Sequence, residues 1–163
     1  MIRLIVDKLG SGHHDLFLKI DAMPEHVQIA DSYFVFDFLE ISDEKYKKMN
    51  FQDNQALIYG IIELLNYWKV RIRGIEKGQK KFIPFDLSDQ YIGGLMIEKT
   101  KLGFKAKIVC TDKIQGLSIG KSNLDEQIFN NKIDFEDSTD KEWLISEESF
   151  FYGLDWSINE LTK

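Results

Sequence analysis

The stretch Tyr91-Ile92-Gly93-Gly94-Leu95-Met96-Ile97-Glu98-Lys99, followed by Gly103-Phe104-Lys105-Ala106-Lys107-Ile108-Val109-Cys110-Thr111, decides the fold. In its second half Phe104, Ala106, Ile108 and Cys110 alternate with Lys105, Lys107 and Val109, the two-residue period of a strand with one buried and one solvated face. Thr100 to Gly103 supplies a turn between the halves, so the pair predicts an antiparallel hairpin with Cys110 on its apolar side. A shorter strand through Leu117 and Ile119, bracketed by Gly116 and Gly120, is expected to complete a meander. Upstream, Phe82 to Leu87 carries Pro84, which cannot donate to a ladder and so marks an edge or a bulge.

Further toward the N-terminus, Leu57, Ile58, Ile61, Ile62, Leu65 and Trp68 recur at intervals of three and four. This predicts a main helix over about 53–68 with one buried face. Asn50 or Asp53 can cap its first turn, and Gly60 within it costs about 1 kcal/mol relative to alanine, which calls for compensating close packing. After Trp68 the period reads as two, with Lys69, Arg71 and Arg73 alternating with Val70 and Ile72. Ser42 to Asn50 is a polar connector with room for a helical turn. Ser32 to Ile41 is rich in aromatic and β-branched residues on both faces and reads as a central strand. Ile2 to Asp7 and Leu16 to Ile20, joined through Gly10-Ser11-Gly12, read as an N-terminal hairpin. Ser146 as cap, Glu147 and Glu148 in the first turn, and a stripe of Phe150, Phe151, Leu154, Ile158 and Leu161 predict a C-terminal helix over about 147–162. The expected architecture is a single α+β domain over 1–163: a largely antiparallel sheet, made of the N-terminal hairpin and the central meander, packed on these two helices.

Composition agrees with one globular unit. The 163 residues are 44% hydrophobic and 13% aromatic, and the formal net charge is −6. That balance argues against a nucleic-acid coat. No run approaches the ~20 uncharged apolar residues of a membrane-spanning helix. An acid at Asp7 interrupts what would be the apolar part of a leader, and the lone cysteine, Cys110, has no internal partner, so the chain reads as cytosolic. The charge is unevenly placed. From Leu124 onward eleven acids face three lysines, a local −8, whereas the remainder has 16 acids and 18 bases, a local +2.

Catalytic and metal signatures are thin. His13-His14-Asp15, with His26 downstream, is the one grouping that resembles metal ligands, but adjacent strand residues point to opposite faces. Ser42-Asp43-Glu44-Lys45 matches a Ser-x-x-Lys nucleophile pattern without its companion motifs, and a capped helix start explains the same residues. Read with Asp37, Asp43-Glu44-Lys45 resembles the end of a nuclease site, yet the cationic groove such an enzyme needs is missing from the charge balance. Gly10-Ser11-Gly12 and Gly93-Gly94 lack the lysine or helix start of a phosphate loop. No cofactor and no metal are expected.

The order of elements resembles small immunity proteins of bacterial contact-dependent inhibition and related polymorphic-toxin systems. The resemblance is carried by Ala56-Leu57-Ile58-Tyr59-Gly60-Ile61-Ile62-Glu63-Leu64-Leu65, then Phe85-Asp86-Leu87-Ser88-Asp89-Gln90-Tyr91-Ile92, then Gly103 to Cys110. It implies a non-enzymatic protein-binding module whose partner is a cognate toxin domain with a basic surface, such as a nuclease. Asp125, Glu126, Asp134, Glu136, Asp137, Asp140, Glu142, Glu147 and Glu148 are the candidate partner-binding acids, with Trp143 as an anchor. Two alternatives stay open. The aromatics of this segment can equally be core with the acids as a solvated face, and a ligand-binding protein or enzyme with a pocket between sheet and helix is the rival function, with His13, His14 and Cys110 as its polar groups.

Overall fold

A computed structural model describes residues 1–9, 12–51 and 54–163. The fold is α+β and entirely antiparallel, but its strands fall into two sheets. The first sheet, in the order β1-β2-β3, contains β1 (Ile2–Val6), β2 (Leu16–Ile20) and β3 (Val27–Ala30). Leu4 pairs with Leu18 and Ile2 with Ile20, which puts the apolar positions of the expected hairpin side by side. Gly10 and Ser11 of its connection lie outside the described residues. β3 follows a turn at Ala22 to Glu25, in a stretch whose short Val-x-Ile pattern gave no separate signal.

Ser32 to Ile41 is not a strand. It contains the short helix α1 (Val35–Phe38), with Phe38 N donating to Phe34 O and Leu39 N to Val35 O. Val35, Phe38 and Leu39 are the buried residues, at positions i, i+3 and i+4, so one helical turn buries the apolar groups that had seemed to require two strand faces. Next comes α2 (Asp43–Lys48), whose N-cap Ser42 accepts a hydrogen bond from Lys45 N. That cap is the structural role of the Ser-x-x-Lys stretch.

The main helix, α3 (Gln55–Arg73), buries Ile61, Leu64, Leu65, Trp68 and Ile72. Its cap position is held by Asn54, in a left-handed conformation with φ 62°, while Asn50 stands apart from the helix and Asp53 lies outside the described residues. Gly60 has the close packing its cost required: a Cβ there would lie 2.8 Å from the ring of Phe36. The helix does not give way to a strand after Trp68. Ile72 is buried because it sits four residues past Trp68 on the same face, whereas Val70 is 72% exposed.

The second sheet, in the order β4-β5-β6-β7, contains β4 (Lys80–Leu87), β5 (Ile92–Lys99), β6 (Phe104–Thr111) and β7 (Glu136–Ile145). The expected β5–β6 hairpin pairs Lys99 with Phe104 and Ile92 with Thr111. β4 is an edge strand whose register shifts between Pro84 and Asp86, as the proline required. The fourth strand is β7, not Leu117 to Ile119, where the chain forms a 3₁₀ turn over Gly116–Ser118. β7 escapes a hydrophobicity reading because only Trp143 and Ile145 face the core, opposite Ala106 and Phe104.

The C-terminal helix α4 (Glu147–Leu161) starts on the expected cap, with Ser146 accepting from Ser149 N. It lies along β1: Leu4 N donates to Ser157 Oγ at 2.9 Å, and a Cβ on Gly153 would come within 2.0 Å of Ile2 O. The outer edge of the first sheet is thereby covered. Phe104 and Phe150 meet edge to face at 5.3 Å, so α4 bridges both sheets, and the buried apolar residues of both form one contiguous cluster. Among the described residues no helix is long and apolar enough to cross a membrane.

Candidate functional site

A prominent cleft lies on the face of the second sheet whose residues alternate with the buried Ile97, Ala106 and Trp143. It measures about 350 Å³. Met96 on β5, Lys107 on β6 and Glu142 on β7 stand in register across it. The π-helical turn Glu126–Asn130 and the segment after it form the opposite wall with Phe129, Ile133 and Phe135. Phe135 is held there by Phe82, with ring centroids 4.7 Å apart. An apolar floor is thus rimmed by charges of both signs.

Much of the C-terminal acidity is answered within the molecule. Asp125 is half-buried between Arg71 and Lys81, the latter at 2.7 Å. Burial pushes its carboxyl up, but the hydrogen bonds from Arg71 and Lys81 prevail and hold it below the usual carboxylate range. Arg71 also donates through Nε to Phe82 O at 2.7 Å, so Asp125 clamps α3, β4 and the π-helical turn together. Glu142 faces Lys105 at 2.9 Å, and Asp137 faces Lys107 at 2.7 Å. The hydrogen bond to Asp137 holds the Lys107 ammonium above the ordinary lysine range. Glu147 pairs with Lys99, and Asp134 lies 3.7 Å from Lys113. The lysines of β6 are therefore cross-strand partners of β7, the pairing that opposite charges on facing strands favour.

Four of the expected acids have no such partner. Glu126, Glu136, Asp140 and Glu148 are exposed, and none forms an ion pair among the described residues. Glu136 and Asp140 belong to the open edge of the sheet. Lys107 pairs with Glu142 and Val109 with Asp137, so residues 138–141 bulge out of the ladder. Trp143 is 7% exposed and faces the core, with no protein partner for its Nε1, and it is unavailable as a surface anchor. Phe129, 39% exposed, and Leu144, 61% exposed, are the apolar groups that this surface presents. Neither stands out in sequence, because only the strand alternation set by Trp143 and Ile145 turns Leu144 outward.

The polar residues of the rival reading sit elsewhere. His13 stacks on Tyr33 and contacts Asp31 through Nδ1 at 3.0 Å, while His14 N donates to Asp31 Oδ1 at 2.7 Å. Asp15 is fully buried and accepts from both Ser32 N and Ser32 Oγ. Among the described residues no three His, Cys, Asp or Glu side chains form a metal-binding group. His26 lines a separate shallow cleft near Lys141. Cys110 is half-buried instead of facing the core, and it lines a cleft of about 280 Å³ with Asp86, Tyr91 and the glycines of β5. An adjoining cleft of about 210 Å³ shares Asp86 and Tyr91 and adds His14 and Asp31. No residue of α3 lines any of these, so they open on the strands and not beneath the helix. No family model, no curated protein and no solved structure matches this chain.

Proposed function

We propose that this chain is a non-enzymatic protein-binding module of the immunity type, which captures a basic toxin domain in the cytosol through the open edge of β7 and the groove beside it. The observation that carries the reading is the set of exposed acids without internal counter-charge, Glu126, Glu136, Asp140 and Glu148, on the segment from the π-helical turn to the start of α4, which also supplies the apolar wall of the groove. Uncompensated carboxylates draw in a cationic partner from a distance, and exposed Phe129 and Leu144 supply surface that gains by desolvation once it arrives. The acids already paired with Lys99, Lys105, Lys107 and Arg71 hold the surface in shape and add little to its field.

The test is genetic first and kinetic second. A toxin domain encoded beside this chain is expressed with and without it, and survival is scored. The purified pair is expected to form a 1:1 complex whose association rate falls with salt. Reversing Glu136 and Asp140 to lysine slows association about tenfold while leaving the melting curve unchanged. A toxin left active, or an association rate indifferent to these reversals, overturns the assignment.

A further inference from the structure

Two aspartates are buried among the described residues, Asp15 and Asp86, and they are treated differently. Asp15 has a donor on each oxygen, both from Ser32. Asp86, 6% exposed, has one: Tyr91 Oη donates to its Oδ2 at 2.8 Å, and no protein donor reaches Oδ1. Oδ1, which lacks a protein donor, is left to accept from whatever occupies the cleft.

Local backbone geometry explains how it comes to face open space. The register shift in β4 after Pro84 re-aims Asp86, and its cross-strand neighbour is Gly93, where a Cβ would sit 3.3 Å from Asp86 Cβ. The side chain therefore stands in the wall shared by the two adjoining clefts, which no lysine or arginine lines. Asp31, on the far side of the smaller cleft, adds a second carboxylate, with both its oxygens already engaged by His13 and His14. The cleft thus combines a negative potential, an unpaired acceptor at Oδ1 and the oxygen of a phenol.

We infer that Asp86, with Tyr91 and Asp31, forms a binding site for an organic cation bearing N–H donors, the guanidinium or primary ammonium group of a small amine or of a basic side chain. Such a group supplies a donor to Oδ1 and a positive charge together, whereas a neutral amide supplies only the donor. The site is separate from the β7 groove, and its test does not depend on the toxin reading.

The test uses the full chain and amide NMR. Methylguanidinium is titrated in, with methylurea as its uncharged isostere and a blocked tripeptide with a central arginine as the third probe. Methylguanidinium is expected to shift the Gly93 and Gly94 amides saturably and methylurea to leave them in place. Asp86→Asn, checked for an unchanged fold by its remaining amide spectrum, weakens binding about tenfold or more. Tyr91→Phe, which keeps the ring, weakens it less. A tripeptide that binds more tightly than methylguanidinium identifies a protein side chain as the source, and one that is excluded identifies a free amine. Equal response to methylurea, undiminished binding to Asp86→Asn, or a response to magnesium ion in place of methylguanidinium overturns the inference.

Discussion

The indole of Trp68 donates its Nε1 hydrogen to the carbonyl of Pro84 at 3.0 Å, joining the centre of α3 to the bulge in β4. Trp68 and Pro84 are both buried, so removing the indole takes away this carbonyl's donor inside the core. Trp68→Phe removes both the donor and part of the ring volume. It is expected to cost about 3 kcal/mol, from an unsatisfied buried acceptor and a partly collapsed cavity. Urea denaturation measures it, and a loss below about 1 kcal/mol would show that the bond contributes little.

Ser157 joins α4 to β1 by accepting from Leu4 N while donating to Gly153 O at 2.8 Å. Ser157→Ala leaves the Leu4 N–H buried and unpaired, a loss of about 1–3 kcal/mol in the same denaturation assay. Gly153→Ala is expected to do more damage, because its new methyl group collides with Ile2 O and the helix must leave the strand. Light scattering should then report concentration-dependent association through the uncovered edge of β1. A monodisperse Gly153→Ala protein of normal stability would contradict this packing.

Asp125 gives the acid limb of the stability profile. Its folded carboxyl lies below the ordinary value of 3.8, so the native state holds the ionised form more strongly than the unfolded chain does. The resulting stability is complete above that ordinary value and disappears as pH falls through the lower folded one. Asp125→Asn is expected to be less stable than the parent near neutrality, with the gap closing below about pH 4 as the parent's carboxylate protonates. A constant gap across the acid range would locate the contribution elsewhere.

Asp86 acts with the opposite sign. Burial pushes its carboxyl above 3.8, Tyr91 draws it back, and the nearby Asp31 pushes it further up. The unfolded chain therefore loses this proton first, and stability falls as pH rises from the ordinary value through the raised one. Asp86→Asn removes that penalty. Thermal melts of the two proteins should converge at low pH and separate toward neutrality in favour of the variant. Parallel curves would refute the assignment.

Where a period holds over a long segment and agrees with its caps and turns, the structure could be read directly; the two-residue alternation of Lys69 to Arg73 was too short to tell the end of α3 from a strand. The β5–β6 alternation, the Leu57 to Trp68 stripe, the caps at Ser42 and Ser146 and the break at Pro84 all correspond to observed features, because local geometry and burial demand the same residues there. Ser32 to Ile41 failed because apolar residues on every side fit either a central strand or one buried helical turn, and only contact with α3 through Phe36 and Gly60 decides between them. β7 failed for the reverse reason: its ten residues include a bulge and carry few inward groups, so its identity rests on the lysines of β6 across from it. The uneven charge of the chain was legible, but its neutralisation was not, since Arg71, Lys99 and Lys105 meet their acids only after the sheet and helices have assembled. Asp86 gave no signal in sequence because its burial depends on where β3 and β4 come to lie.

The covering of β1 by α4 also has a temporal meaning. Leu4 and Ser157 are 153 positions apart, so a ribosome completes the N-terminal hairpin long before it makes the helix that seals its edge. Throughout that interval the first strand offers unpaired backbone groups to any extended segment nearby. Closing so large a loop costs chain entropy that local hairpin formation does not. Docking of α4 is thus the step that closes the β1 edge, and until it occurs the nascent chain carries that edge open to self-association.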